Sequence, residues 1–277
     1  MSEPAYRPAM DSVAPPRVSV VIPVLDEVDT LAQLVTQVRA SLADLGRVEI
    51  VLVDDGSTDG SRPAITELAT NHDDVVGVLL RGNFGQHAAI AAGLEVASGD
   101  AVALLDADLQ NDPSDLPRLI EQLALGHDLV SGRRTNRADR LGRRVASGIV
   151  RNLILRATGV RLEDPNSGMK ALSRDLVDAV NGEGDRRRYL AALFLTLARN
   201  PVEVAVRHHA RSSGKSRYGL TRIVALLFDF AIAFMRPFRW VSGRGWGCSR
   251  SDSPGASVTR LPGSRSWRRG CRGSSSS

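Results

Sequence analysis

Short apolar runs alternate with helix-spaced apolar residues over the first half of the chain. Val18–Ile22 reads as a first strand ending at Pro23, and Leu31, Leu34, Val35 and Val38 then recur every three to four residues, as on one helix face. Val48–Val53 predicts a second strand, Pro63–Ala69 a helix, Val75–Leu80 a third strand and Ala88–Ala97 an Ala-rich helix ending near Gly99. Ala101–Leu105 predicts a fourth strand. Pro113 suits a first helical position, Leu116–Leu125 has a helical apolar pattern, and Leu129–Ser131 begins another short strand. Strands alternating with helices predict an α/β fold, a mostly parallel sheet flanked by helices on both faces.

The pattern changes after about residue 135. Leu141–Thr158 is helical with Arg on several sides, Asp164-Pro165-Asn166-Ser167-Gly168 is a loop by composition, and Val202–Val206 is a late strand. Ile223–Met235 is apolar except for Asp229, but its 13 residues are too few to cross ~30 Å of hydrocarbon as a helix. Such a segment lies in a membrane interface or packs in a core. No internal repeat is present. The organisation expected is a disordered arm over 1–17, a catalytic domain over 18–218, an amphipathic membrane-interface helix over 219–240, and a disordered or aberrant tail over 241–277.

Composition sharpens this picture in three places. Hydrophobic residues make up 43% of the 277, enough for a sizeable core without disulfides. Cys248 and Cys271 are the only cysteines, which excludes a disulfide framework and a Cys-rich zinc site and makes a reducing, cytoplasmic setting the default. Residues 1–17 contain four prolines and no apolar core of a secretory signal. The net charge of +5 belongs to the tail, where residues 236–277 carry nine Arg against one Asp. The remainder is slightly acidic, so no nucleic-acid partner is expected, and few aromatics accompany those arginines.

The candidate chemistry sits at strand ends. Asp106-Ala107-Asp108 places two carboxylates two residues apart after the fourth strand. Open α/β sheets bind ligands outside the carboxyl ends of their strands, and a hard cation held by oxygens commonly bridges to phosphate. Gln110 points the same way if the chain stays extended, so these residues could hold Mg²⁺ or Mn²⁺ at a diphosphate leaving group. A solvated turn or a helix cap would also explain the pair. A second acidic turn, Asp54-Asp55-Gly56-Ser57-Thr58-Asp59, follows the second strand. Its plain reading is a turn with Asp59 or Ser61 capping the next helix. Its sharper reading is that Asp54 accepts hydrogen bonds from a base or ribose, with Pro23-Val24-Leu25-Asp26-Glu27 as another wall of the pocket.

Arg211-Ser212-Ser213-Gly214-Lys215-Ser216-Arg217-Tyr218 packs cations, hydroxyls and a glycine into one loop before the apolar segment. It reads as a solvated basic turn or as an anion clamp beside a membrane surface. The phosphate loop, the dinucleotide-binding G-x-G-x-x-G and the G-x-S-x-G elbow are absent. Adjacent His208 and His209 face opposite ways on a strand, which argues against a shared metal.

Taken together, Val20-Val21-Ile22-Pro23-Val24-Leu25-Asp26-Glu27, Val53 to Asp59, Gly82-Asn83-Phe84-Gly85-Gln86, Leu105 to Gln110, Asp164 to Lys170 and Arg211 to Tyr218 resemble the family 2 glycosyltransferases. Their order and spacing match over about residues 18–240, in particular the polyprenyl-phosphate branch (dolichol-phosphate mannose synthase-like and undecaprenyl-phosphate enzymes). The resemblance implies a GT-A fold and an inverting, metal-dependent transfer of a hexose from a nucleotide sugar, in cell-envelope synthesis. By that resemblance Pro23, Glu27, Asp54, Asp55, Asn83 and Asp106 would bind the nucleotide sugar, with Asp54 on the base. Asp106, Asp108 and Gln110 would hold Mg²⁺ or Mn²⁺, and Asp106, Asp108 and Arg211 would be catalytic. Arg133, Arg211, Ser216 and Arg217 would contact the lipid phosphate or the diphosphate. Arg217 stands where the family often has Lys, and the two cations bind differently.

A lipid phosphate is already anionic near neutral pH, so it needs positioning cations rather than a general base. A hydroxyl acceptor would need one, and Asp185 is then the candidate. A nucleotide-sugar-binding protein without turnover, or a nucleotidyltransferase, would also account for acidic strand ends. Relatives of this branch commonly continue into two transmembrane helices, whereas here Pro237-Phe238-Arg239-Trp240-Val241 runs into Gly/Ser/Arg-rich sequence. A frame change or a soluble variant would explain this, and the contact expected is peripheral, at the inner face of the membrane. Homo-oligomers occur among relatives, so a second copy stands among the expected partners.

Overall fold

A computed structural model describes residues 17–134, 155, 162–164, 167–184, 187, 190–209 and 259–260. The strands are β1 Val18–Val24, β2 Val48–Asp54, β3 Val75–Leu79, β4 Ala101–Leu104, β5 Leu129–Arg134, β6 Lys170–Ser173, β7 Pro201–Val206 and β8 Thr259–Arg260. The helices are α1 Val28–Ser41, α2 Ser61–Asn71, α3 Gln86–Val96, α4 Leu116–Ala124, α5 Arg174–Asn181 and α6 Leu190–Leu197. One sheet has the order β7-β5-β6-β4-β1-β2-β3-β8.

The central strands are buried on both sides, and their alternation divides the core. Val20, Ile22, Ile50 and Leu52 face α1, α2 and α4, while Val21, Val51 and Val53 face α3, α5 and α6. Burying each large apolar side chain contributes about 1.5–3 kcal/mol. β1 pairs parallel with β2 and β4, and β2 pairs parallel with β3, as strands joined by crossover helices must.

The first strand does not stop at Pro23; it runs to Val24, with Pro23 opposite Val53. Val21 accepts a hydrogen bond from Leu105 N–H on the β4 side. Pro23, two residues on, faces that same side, where β4 has already ended at Leu104. The missing proline N–H therefore falls beyond the paired stretch of β4.

β8, within the 241–277 stretch expected to be disordered, is a strand that the hydrophobic pattern does not predict, and so is β6. β6 runs antiparallel between β4 and β5, pairing Leu104 with Lys170 and Ser131 with Lys170. β5 and β7 are parallel to each other and run in the same sense as β4. An antiparallel strand begins where its parallel neighbours end. Residues 167–169, just before β6, thus lie at the edge where β1, β2, β3, β4, β5 and β7 finish.

Candidate active site

That shared edge gathers most of the candidate residues. The turns after β1 and β2 are cross-linked through backbone N–H groups. Asp26, at φ 55°, accepts from Thr58 N–H at 2.8 Å, and its own N–H donates to Ser57 Oγ at 3.0 Å. Glu27 N–H donates to Ser61 Oγ at 3.0 Å. Asp59 accepts from Ser61 N–H at 2.9 Å and from Val28 N–H at 3.0 Å, so it satisfies the first N–H of both α2 and α1.

Asp54 is fully buried. Its Oδ1 accepts from Ser57 N–H at 3.0 Å and its Oδ2 from Arg62 Nε at 2.8 Å. Arg62 also donates to the Leu80 carbonyl, tying α2 to the end of β3. Asp55 accepts from Phe84 N–H at 2.8 Å and Gly85 N–H at 2.9 Å. Burial pushes the Asp55 carboxyl up, against those two hydrogen bonds, and the neighbouring Asp54 charge adds to the rise. Gly56 has φ 79°, and a Cβ there would stand 2.5 Å from the Gly82 carbonyl carbon. The turn after β2 therefore touches the 82–86 strap backbone to backbone. Asn83 sits on that strap, where its Oδ1 accepts from Gly85 N–H at 3.2 Å.

Asp106 lies just beyond β4. Its Oδ1 accepts from the Gln86 amide at 2.7 Å, and Gly168 packs against its Oδ2. The extended chain expected from Asp108 to Gln110 is instead a turn: Leu109 takes φ 56°, and Gln110 N–H donates to Asp108 Oδ1 at 3.1 Å. Among the described residues no three His, Cys, Asp or Glu side chains form a metal cage by themselves. The turn removes the extended path on which Gln110 would join them, and the donors that remain, the Asp106 and Asp108 carboxylates, are hard oxygens that suit a cation keeping waters and sharing substrate phosphates.

The cationic side comes from the end of β5 and from the chain just beyond β7. Arg133 makes an exposed ion pair with Glu163 at 2.5 Å. Arg134 grips Asp164 with two bonds, at 2.7 and 2.9 Å. Glu203 accepts the N–H groups of Glu163 and Asp164, both at 2.7 Å. Beyond β7, Arg207 N–H donates to buried Asp115 at 2.7 Å, and His209 N–H donates to the Gln110 carbonyl at 2.7 Å. His208 faces Asn111 across an isolated bridge, while His209 Nε2 lies 3.4 Å from Asp112 Oδ2, so the two imidazoles have separate neighbours. Burial pushes His208 below the ordinary imidazole range, and the Arg134 charge pushes the same way.

Arg211, Ser216, Arg217 and Asp185 lie outside the described residues, as do the 1–16 arm, the 219–240 segment and most of the tail. Three contributors escape a reading of strand ends: Arg62, Arg134 and Lys170. A single Lys in the apolar run Met169-Lys170-Ala171-Leu172 is the signal that could have exposed the last. Its ammonium is buried and donates to the Ser167 carbonyl. Burial lowers its pKa from 10.5 to about 8, although Asp164 and Asp106 pull it back up.

Lys170 should leave a mark on stability. Between about pH 8 and 10.5 the unfolded chain holds this proton and the folded chain does not. Stability from Lys170 is thus present above pH 10.5 and is lost as pH falls toward 8. Across that window the unfolding free-energy difference between Lys170→Met and the parent should change by roughly 3 kcal/mol. Urea unfolding at several pH values measures it, and equal pH slopes would show that the ammonium is not buried.

Comparison with known proteins agrees with this arrangement. The family model described as Glycosyl transferase family 2 matches residues 19–178. The undecaprenyl-phosphate 4-deoxy-4-formamido-L-arabinose transferase of Aeromonas hydrophila is 42% identical over 214 residues, 76% of this chain and 66% of that protein. The protein of the same name from Pseudomonas paraeruginosa is 42% identical over 234 residues, 83% of this chain and 69% of that protein. The chain therefore spans 66% of the Aeromonas relative's length. Glucosyl-3-phosphoglycerate synthase from Mycobacterium tuberculosis, solved with Mn²⁺, UDP-glucose and phosphoglyceric acid, superposes with a TM-score of 0.57 at 22% identity. That alignment covers 84% of this chain and 87% of the synthase, and it shows a shared GT-A-like fold. By its family model, which matches residues 19–178, the chain belongs to glycosyl transferase family 2.

Proposed function

We propose that this chain transfers a glycosyl unit from a nucleotide sugar to a polyprenyl phosphate, with inversion and with a divalent cation at the diphosphate. One observation supports this reading above the others. The chain leaving β7 is hydrogen-bonded to the turn bearing Asp106, Asp108 and Gln110, and the basic stretch from Arg211 begins two residues beyond His209. An anion clamp for the acceptor and oxygen donors for the leaving diphosphate would thereby share one edge. The names of relatives 42% identical to this chain carry an undecaprenyl-phosphate acceptor.

Pro23, Glu27, Asp54, Asp55 and Asn83 form the nucleotide end of the proposed pocket. Asp54 and Asp55 act there through the turn and strap that they hold. Asp106 and Asp108 would bind Mg²⁺ or Mn²⁺, which when bound neutralises charge on the departing diphosphate. Arg133, Arg211, Ser216 and Arg217 hold the lipid phosphate. One of its oxygens bonds to the anomeric carbon as the bond to the diphosphate oxygen breaks, which inverts that centre. The acceptor is already ionised, so no side chain has to remove a proton. Among the described residues no helix is long and apolar enough to cross a membrane, and the 219–240 segment is the proposed peripheral contact with the inner face.

The test is nucleoside diphosphate release from a donor panel, with and without a short-chain polyprenyl phosphate. The panel pairs nucleotide-linked 4-deoxy-4-formamido-L-arabinose with nucleotide hexoses. Release is expected to need both lipid and Mg²⁺ or Mn²⁺, and to stop on chelation. Turnover with hydroxyl acceptors alone, or donor binding without release under every lipid condition, would overturn the proposal. The anomeric configuration of the product, read by NMR, checks inversion.

A further inference from the structure

The strap from Gly82 to Gln86 leaves β3 and reaches the end of β4, three strands away in the sheet. On the way Asp55 accepts two of its N–H groups, at Phe84 and Gly85. Its last residue donates to Asp106 Oδ1 at 2.7 Å. The other oxygen of Asp106 meets Gly168. The β4–β6 register, with Leu104 opposite Lys170, continues to place Gly168 opposite Asp106. A Cβ on Gly168 would stand 1.7 Å from Asp106 Oδ2. One carboxylate is thus met from two sides, by the Gln86 amide and by the Gly168 backbone.

We infer that Gln86 and Gly168 are positioning residues that set the Asp106 carboxylate for a divalent cation, and that the strap links this carboxylate to the Asp55 turn. The inference rests on the reading of Asp106 and Asp108 as cation ligands. A neutral amide suits this task. It fixes one oxygen by a hydrogen bond without adding a positive charge of its own, as a Lys or Arg in its place would. Gly168 allows its own backbone to close against the other oxygen, where any larger residue would turn the carboxylate away. Groups that orient metal ligands from behind typically change metal affinity or activity by about 10–100-fold when replaced.

The test titrates Mn²⁺ alone into the full chain, followed by electron paramagnetic resonance, for the parent, Gln86→Met, Gly168→Ala and Asp108→Ala. Gln86→Met keeps the side-chain length and removes the donor, and Gly168→Ala displaces the same carboxylate from the opposite side. Each is expected to weaken Mn²⁺ binding on the order of tenfold or more, with an unchanged melting temperature and unchanged cation-free UDP binding by calorimetry. Asp108→Ala is expected to abolish Mn²⁺ binding. If Asp108→Ala binds Mn²⁺ like the parent, the underlying ligand reading fails. If Asp108→Ala loses Mn²⁺ while Gln86→Met and Gly168→Ala retain it, the positioning role alone fails. A parallel loss of cation-free UDP binding in Gln86→Met would instead assign Gln86 to the pocket as a whole and overturn the inference.

Discussion

Asp108→Ala is expected to lower kcat/KM for sugar transfer by about three orders of magnitude while the protein stays folded. The size follows from the chemistry of the leaving group. A cation at a departing diphosphate supplies several kcal/mol of transition-state stabilisation, and each ~1.4 kcal/mol is a factor of ten in rate. The structural cost should be small. Asp108 is only partly buried, and the hydrogen bond described for its side chain is the local one from Gln110 N–H. Asp108→Asn keeps an acceptor for that N–H and loses only the charge, so it should fall between the parent and Asp108→Ala. Nucleoside diphosphate release and thermal melts on the same preparations measure both halves. An Asp108→Ala enzyme within tenfold of the parent would remove this residue from the cation site.

Arg62→Ala is expected to produce the largest loss of stability, about 3 kcal/mol. Asp54 has no solvent exposure, and its charge is met by Ser57 N–H and by Arg62 at 2.7 Å. Removing one partner of a buried pair strands the other charge, at a typical cost of ~3–5 kcal/mol. The lower end applies because the Arg62 side chain is 39% exposed, and water can enter the space it leaves. In a domain of this size that loss lowers Tm by roughly 6–12 °C. Arg62→Lys should recover only part of it, since an ammonium cannot reproduce the guanidinium's reach to both Asp54 and the Leu80 carbonyl. A melting temperature within a degree of the parent would show that buried Asp54 does not depend on Arg62.

This pair also shows where a sequence reading stops. The acidic turn after β2 is plain in the sequence, and the resemblance implies a base-contacting role for Asp54. Which groups meet that carboxylate depends on how α2 turns back over the strand end. The same holds for Gln86. Its place in the Gly82 to Gln86 motif is legible, but its bond to Asp106 exists because the strap crosses the ends of β2 and β1.

The helices on either side of the late sheet follow the same logic. Leu176, Val177 and Val180 give α5 only one short apolar stripe, although Ser173 caps it by accepting from Leu176 N–H at 3.2 Å. α6 is apolar nearly throughout, so it carries no periodicity to read. β6 has four residues and begins with a buried Lys. Its strand character comes from β4 and β5 on its two sides.

The sequence by itself determined the α/β alternation and the acidic residues at successive strand ends, because both are local: apolar spacing decides which stretches become strands or helices, and a turn residue stays beside its strand. Tertiary structure alone decided that β6 runs antiparallel, that Gly168 meets Asp106, and that Arg62 and Lys170 sit among buried carboxylates. Those contacts join residues far apart in sequence or on separate elements. They are selected by which strands find backbone partners and which buried charges find counter-charges, and no local pattern encodes either.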